Sequence, residues 1–205
     1  VISGNVSLYN ANEEDNIFPT PIIGALGILD NINNHVSNGF KNNNNTVILL
    51  GDSKISQLSS SLSGSEYLDK FYGEIMGNPQ INLDKELAVQ KVCRSAIGIG
   101  IIESAHDCSD GGLLVCLAES CIIGNTGFHS SIQIPKRWDF CLFGEQQSRI
   151  LVSLEQKNIG KLEKICNDFQ IDWCTIGTTG GNSLTIPSLI NLPINQLENA
   201  WKTHR

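Results

Sequence analysis

Basic residues are scarce in this 205-residue sequence: 14 Lys and Arg stand against 21 Asp and Glu, a formal net charge of −7. Binding nucleic acid through its phosphates needs a positive footprint, so this balance argues against that class of partner. It leaves small phosphorylated ligands open, because backbone N–H groups, helix N-termini and a divalent cation can hold them without showing in the net charge. Long apolar runs are missing too. None reaches the ~20 residues of a membrane-spanning helix, so the chain reads as soluble, with no membrane partner. Aromatic residues make up only 6% of the chain, and the core must therefore rest on Ile, Leu and Val. No methionine opens it, and the start at Val1-Ile2 suggests a piece of a longer polypeptide. The seven cysteines, at 93, 108, 116, 121, 141, 166 and 174, include no Cys-x-x-Cys spacing. Their odd number and apolar surroundings suggest small buried hydrophobes in a reducing cytosol rather than zinc ligands or disulfides.

What is present alternates between strand-like and helix-like stretches. Val1 to Tyr9 and "PTPIIGALGILD" (Pro19 to Asp30) read as strands, followed by a polar surface stretch that ends in Asn42 to Asn45. "TVILLG" (Thr46 to Gly51) is a continuous apolar run ended by glycine, the pattern of a buried strand. Ser65 stands as a cap before a short helix. From Asp84 to about Ile97 apolar residues recur at helical spacing, and Gly98 and Gly100 end the run. A mostly apolar helix is expected from Gly111 to Ile123, a strand at "SSIQIP", another at "QQSRILVSL", an amphipathic helix at "NIGKLEKICNDF", strands at "WCTIGTT" and "SLTIP", and a last helix opened by proline at "PINQLENAWK". The mixture predicts an α+β fold, a mixed β-sheet covered by helices.

Three stretches could carry chemistry. In "HDCSDGG" (His106 to Gly112), Ser109 or Asp110 sits where an N-cap belongs, and Gly111 and Gly112 open the helix. Free N–H groups at the positive end of a helix dipole can receive a phosphate or carboxylate, or the turn is a plain cap. In "FGEQQSR" (Phe143 to Arg149), Arg149 could clamp a phosphate, or Glu145 and Arg149 could form an internal polar network. In "SGNVSLYN", Gly4 permits close approach to the main chain, Asn5 offers a hard oxygen suited to Mg2+, and Ser7 shares its strand face.

In order and spacing, "SGNVSLYN", "PTPIIGALGILD", "LLGDS", "GSEYL", "AHDCSDGGLLVCLAES" and "LFGEQQSR" resemble the C-terminal part of the phosphoribosylformylglycinamidine synthase subunit II family. That family is related to aminoimidazole ribonucleotide synthetase and other ATP-using enzymes. The resemblance implies that residues 1–30 end an N-terminal-type domain and that 31–205 form a C-terminal-type α+β domain. It implies an ATP-dependent ligase of purine biosynthesis in the cytoplasm, which phosphorylates the amide oxygen of formylglycinamide ribonucleotide and lets ammonia displace the phosphate. Partners would be the N-terminal remainder of the same polypeptide, a glutaminase subunit and a small accessory subunit. By the same resemblance Gly4 contacts ATP, Asn5 binds Mg2+ and Ser7 contacts the substrate. Ser109, Asp110, Gly111, Gly112, Glu145, Gln147 and Arg149 would line an auxiliary nucleotide or phosphate site.

The sequence departs from the family at Ala11, where Glu is usual, and at Gln146, where Ser is usual. The family's catalytic histidine lies in its first half; His106 and His129 do not match it, and no catalytic residue is expected here. The alternatives are a non-catalytic scaffold or auxiliary nucleotide-binding module of that enzyme, and a different ATP-using relative. "SGNVSLYN", peculiar to the synthase, argues against the last.

Overall fold

The computed structural model describes residues 3–4, 11, 21–51 and 59–203. The chain divides into two compact units, 1–32 and 33–205. In the first unit, Ser3 and Gly4 are exposed, and residues 21–29 have no regular secondary structure. The strand expected at Pro19 to Asp30 is thus not formed over its described part. Ile22, Ile23, Leu26 and Ile28 all stand in solvent, Leu26 completely. A strand requires a neighbour to take its N–H and C=O groups, and among the described residues none pairs with this one.

The second unit is built on one seven-stranded sheet in the order β2-β4-β1-β5-β3-β6-β7. Third in that order, an interior strand, is β1 (Thr46–Gly51), with all six residues buried. It pairs antiparallel with β4 (Arg149–Leu154) on one side and β5 (Trp173–Thr179) on the other. β2 (Ser104–Asp107) adds antiparallel to β4 as an edge. On the far side, β3 (Phe128–Ser130) joins β5 antiparallel and β6 (Ser183–Ile186) parallel, and β7 (Ile190–Pro193) closes on β6. One parallel ladder makes the sheet mixed.

Because side chains alternate along a strand, β1 sends Val47 and Leu49 to one face and Ile48 and Leu50 to the other. The first face meets α3 (Gly112–Gly124), α4 (Trp138–Leu142) and α6 (Ile194–Thr203) through Leu113, Leu117, Leu142 and Ile194. The second meets α2 (Leu83–Gly98) and α5 (Ile159–Asp168) through Val89, Val92, Ala96 and Leu162. A strand buried on both faces must be apolar throughout, which is why "TVILLG" carries no alternation. Each fully buried aliphatic side chain contributes about 1.5–3 kcal/mol of transfer free energy. The α+β fold with a mixed sheet covered by helices is therefore present, with helices on both faces. Short α1 (Glu66–Tyr72) starts as expected: the Ser65 hydroxyl accepts from the Leu68 N–H at 3.4 Å.

The cysteines pack as small apolar groups, six of them buried and Cys174 half-buried. Burial pushes the Cys121 thiol up to about 12 and those of Cys93, Cys141 and Cys166 to about 11. A hydrogen bond with Cys108, reinforced by burial, holds Cys116 well above the ordinary thiol range. The strand read at "SSIQIP" is misplaced. β3 stops at Ser130, and Ile132 and Ile134 reach the core from an irregular segment.

Candidate functional site

The site grows from the junction of β2 and α3. β2 ends at Asp107, and Cys108, Ser109 and Asp110 make the turn. The Gly112 N–H donates to the Ser109 carbonyl at 2.9 Å. Ser109 and Asp110 do not cap the helix. The N-cap is Gly111, at φ 77°, and no side chain of the turn bonds to the helix. Gly111 and Gly112 are two consecutive left-handed residues that turn the chain from β2 into α3. Gly112, at φ 69°, lies where an added Cβ would stand 2.6 Å from the Gly144 carbonyl oxygen. Gly112 thus lets the start of α3 pack directly on the backbone of residues 142–144.

A carboxylate from far along the chain does the capping. Glu145 Oε1 accepts from the Gly111 N–H at 2.8 Å and from the Glu66 N–H at 2.9 Å. One oxygen therefore joins the N-termini of α3 and α1, where a negative charge is favoured by both dipoles. The Glu145 N–H in turn donates to the Ser61 carbonyl at 3.0 Å, and the Ser61 hydroxyl donates to the Phe140 carbonyl at 2.9 Å. The anion position at the start of α3 is occupied by the protein's own side chain.

Arg149, the first residue of β4, is buried. Its Nε donates to the Gln146 carbonyl at 3.3 Å and one terminal nitrogen donates to the Gly144 carbonyl. Among the described residues it forms no ion pair with Glu145, so of the two alternatives the internal Glu145–Arg149 network is not formed. Each group instead fixes the 144–148 segment separately. Gln147 is exposed, and its amide lies 3.4 Å from the Glu145 carbonyl.

A cavity of about 380 Å3 opens beside this turn. Of the seven residues named for the auxiliary site, Ser109, Asp110, Glu145, Gln147 and Arg149 line it, and Gly111 and Gly112 do not. Glu86 and Asp107 line it as well, neither of them singled out in the sequence. Four carboxylates against one guanidinium leave the cavity net negative, and a bare phosphate there meets repulsion. His106, on β2, has Nε2 at 2.9 Å from the Glu119 carboxylate and Nδ1 at 3.4 Å from that of Asp107. It ties the edge strand to α3 and stands outside the cavity's lining. A polar cavity of about 360 Å3 lies on the other side of Glu145, between Ser61, Asn82, Lys85 and Gln146.

Of the remaining named residues, Gly4 is exposed with open space around it, and Asn5 and Ser7 lie outside the described residues. Among the described residues no three His, Cys, Asp or Glu side chains converge as a metal ion needs. No described helix is long and apolar enough to cross a membrane.

Residues 42–186 match the family described as AIR synthase related protein, C-terminal domain. Over 98% of its length the chain is 38% identical to the phosphoribosylformylglycinamidine synthase subunit PurL of Anaeromyxobacter sp. (strain Fw109-5), and 37% identical to that of Caldanaerobacter subterraneus subsp. tengcongensis. It spans only 27% and 28% of those two proteins. Thermotoga maritima PurL complexed with FGAR matches in fold over 81% of this chain and 30% of that one, with a TM-score of 0.65 at 14% identity. The same organism's PurL complexed with ATP gives 0.58 over 79% and 27%, also at 14% identity. With the matched segment running from the loop before β1 to the end of β6, the chain belongs to the AIR synthase-related C-terminal domain family.

Proposed function

We propose that this chain is the C-terminal part of a phosphoribosylformylglycinamidine synthase, the ATP-dependent ligase that converts formylglycinamide ribonucleotide and glutamine-derived ammonia to formylglycinamidine ribonucleotide in the cytoplasm. The observation that carries the reading is the 38% identity to a synthase subunit across 98% of this chain. The motif "SGNVSLYN" supports it by supplying Gly4 for ATP, Asn5 for Mg2+ and Ser7 for substrate. A single Asn oxygen is one ligand of the six an octahedral Mg2+ takes. The other ligands belong to the rest of the polypeptide, the phosphates and water. The chain has no catalytic residue of its own in this reading. Its partners are the N-terminal remainder, the glutaminase and the small accessory subunit.

What the second unit does within that enzyme has two readings. It is a scaffold, or it holds an auxiliary nucleotide in the cavity beside Arg149. The convergence of Ser109, Asp110, Gln147 and Arg149 on one cavity favours the second. Its net negative lining requires the phosphates to arrive with a divalent cation.

The test is reconstitution. Separately made N-terminal remainder is mixed with this chain, and ATP- and ammonia-dependent product formation is followed. The chain alone is expected to give none, and the mixture to restore synthesis. Turnover by the chain alone, or no rescue from two folded components, overturns the proposal.

A further inference from the structure

Two of the seven cysteines stand apart from the rest. Cys108 follows β2, and its N–H donates to the Arg149 carbonyl at 3.1 Å. That bond continues the register of β2 on β4, in which His106 is opposite Leu151 and Asp107 opposite Ile150, so Cys108 is opposite Arg149. Side chains alternate along a strand, and Cys108 therefore shares a face with His106 and Leu151. Cross-strand partners on one face are close enough to interact, which sets the Arg149 guanidinium beside the Cys108 sulfur. The same face is covered by α3: Cys108, Leu151 and the α3 residue Cys116 belong to one buried cluster. Cys116 Sγ lies 3.9 Å from the His106 carbonyl oxygen, and its thiol is hydrogen-bonded to that of Cys108.

Cys108 also has a way out. It is 7% exposed and lines the cavity of about 380 Å3 together with Arg149. A polar cavity that holds water admits hydrogen peroxide, which is little larger. The surroundings of the two sulfurs differ in charge. The hydrogen bond from Cys116 draws the Cys108 thiol below its ordinary value against the effect of burial; the Arg149 guanidinium helps and Asp107 opposes. Cys116 is pushed the other way by that bond and by burial, and Asp107 and Glu119 add to it. Burial raises Cys93, Cys121, Cys141, Cys166 and Cys174 alike. A thiol that favours its anion, reachable from solvent and paired with a second thiol, is the arrangement of an oxidation-sensitive cysteine and its resolving partner.

We propose that Cys108 and Cys116 form such a dithiol, in which a hydroperoxide entering the cavity oxidises Cys108 and Cys116 resolves the product as a disulfide. The Cys108 sulfur attacks one oxygen of the peroxide and the O–O bond breaks. Sulfur gives up two electrons and becomes a sulfenic acid, and the leaving hydroxide takes the thiol's proton to depart as water. The Cys116 sulfur then attacks the Cys108 sulfur. The S–S bond forms, the S–O bond breaks, and a second water carries off the Cys116 proton. Two thiols and one hydrogen peroxide thus give one disulfide and two waters. The bridge would pin the turn that carries Ser109 and Asp110 to α3. The proposal is independent of the synthase reading, since it needs no ligand in the cavity.

The test is treatment of the reduced, folded 205-residue chain with hydrogen peroxide, then alkylation, proteolysis and mass spectrometry. Cys108 and Cys116 should lose alkylation together, about tenfold faster than Cys93, Cys121, Cys141 or Cys166. The peptide that holds both should be two hydrogens lighter, and dithiothreitol should restore both thiols. Cys174 is the demanding comparison. It alone of the seven is half-buried, and it would react first if exposure alone governed the rate. Cys116→Ala should leave a sulfenic acid on Cys108 that dimedone traps, and Cys108→Ala should leave Cys116 unoxidised. Thermal melts show that each variant is folded; where one is not, the parent chain decides, by comparison with the same chain unfolded in urea. Five results overturn the proposal. They are another thiol reacting as fast as Cys108, a disulfide that joins Cys121 instead, dimedone captured on Cys116, a sulfenic acid that persists on Cys108 of the parent, or the same preference in urea. Failure of reconstituted synthesis would leave these reactions unchanged, so the two proposals fail separately.

Discussion

Removing the Glu145 carboxylate tests whether the start of α3 is a structural joint or a ligand site. Glu145→Ala leaves two N–H groups, those of Gly111 and Glu66, without the acceptor that now stands 2.8 and 2.9 Å away. A bond to a charged acceptor is worth roughly 1.5–3 kcal/mol when sheltered, and a lost helix cap costs roughly 0.5–2 kcal/mol. Gly111 is buried, and its bond should count near the upper figure; the Glu66 N–H is reached by solvent and should count near the lower. The sum is about 2–3 kcal/mol, or a fall in melting temperature of about 4–12 °C for a unit of this size. Glu145→Gln keeps an oxygen in place but loses the charge that both dipoles favour, and should lose about 1 kcal/mol. Thermal melts followed by circular dichroism, with urea titrations beside them, read both values. A melting temperature within 1 °C or so of the parent for Glu145→Ala would refute the joint. If that variant also lost or gained nucleotide affinity at unchanged stability, the carboxylate would belong to a ligand site instead.

Other outcomes follow from the same geometry. Gly112→Ala sets a Cβ 2.6 Å from the Gly144 oxygen at φ 69°. It should destabilise by about 2 kcal/mol or more through strain and overpacking, with nucleotide affinity of the folded fraction unchanged. A parent-like melt would show that the contact is not there. In the full-length enzyme, Asn5→Ala should lower activity and raise the Mg2+ requirement; an unchanged Mg2+ titration and rate would remove Asn5 from the metal. Cys121 titrates at about 12 in the folded chain and near 9 when unfolded, so its neutral thiol favours the fold fully below pH 9. That contribution is lost as pH climbs from 9 toward 12, and urea midpoints should fall over this window more steeply in the parent than in Cys121→Ala. Equal slopes would show that burial does not hold the thiol protonated.

The sequence disclosed those parts of the fold whose causes are local. The helix read from Asp84 to Ile97 spans Leu83–Gly98, because apolar spacing, an Asn82 cap and the closing glycines all act within a few residues. β1 and most of β4 show for the same reason, as runs of buried apolar residues, while β5 shows by its β-branched threonines and isoleucine. Elements that depend on distant partners were not visible. β2 is a short strand of small and polar residues made by pairing to β4, and the stretch containing it reads as a polar turn. Five-residue α4 is too short to show a period. At "SSIQIP" the alternation reports Ile132 and Ile134 packing inward, and burial can be met without a ladder. The site divides in the same way. The glycine pair announced a tight helix start. That its cap is Glu145, 34 residues from Gly111 and 79 from Glu66, is written in no local pattern.

The interior position of β1 constrains how this chain can be made. Its two neighbours in the ladder come late in the sequence, with Thr46 opposite Leu154 on one side and Thr178 on the other. During synthesis the most apolar strand emerges first and waits for roughly a hundred residues before either edge can be covered. Loop-closure entropy must be met before those pairings return anything, which makes such folding slow. Until then a six-residue strand with both edges open is exposed to the pairing that drives aggregation. The helices of the second face bear on that interval. α2 emerges after the short α1 and well ahead of β4 and β5, and can shield Ile48 and Leu50 through Val89 and Val92 before the sheet exists. Weakening α2 should therefore lower the yield of folded chain more than its effect on equilibrium stability would suggest.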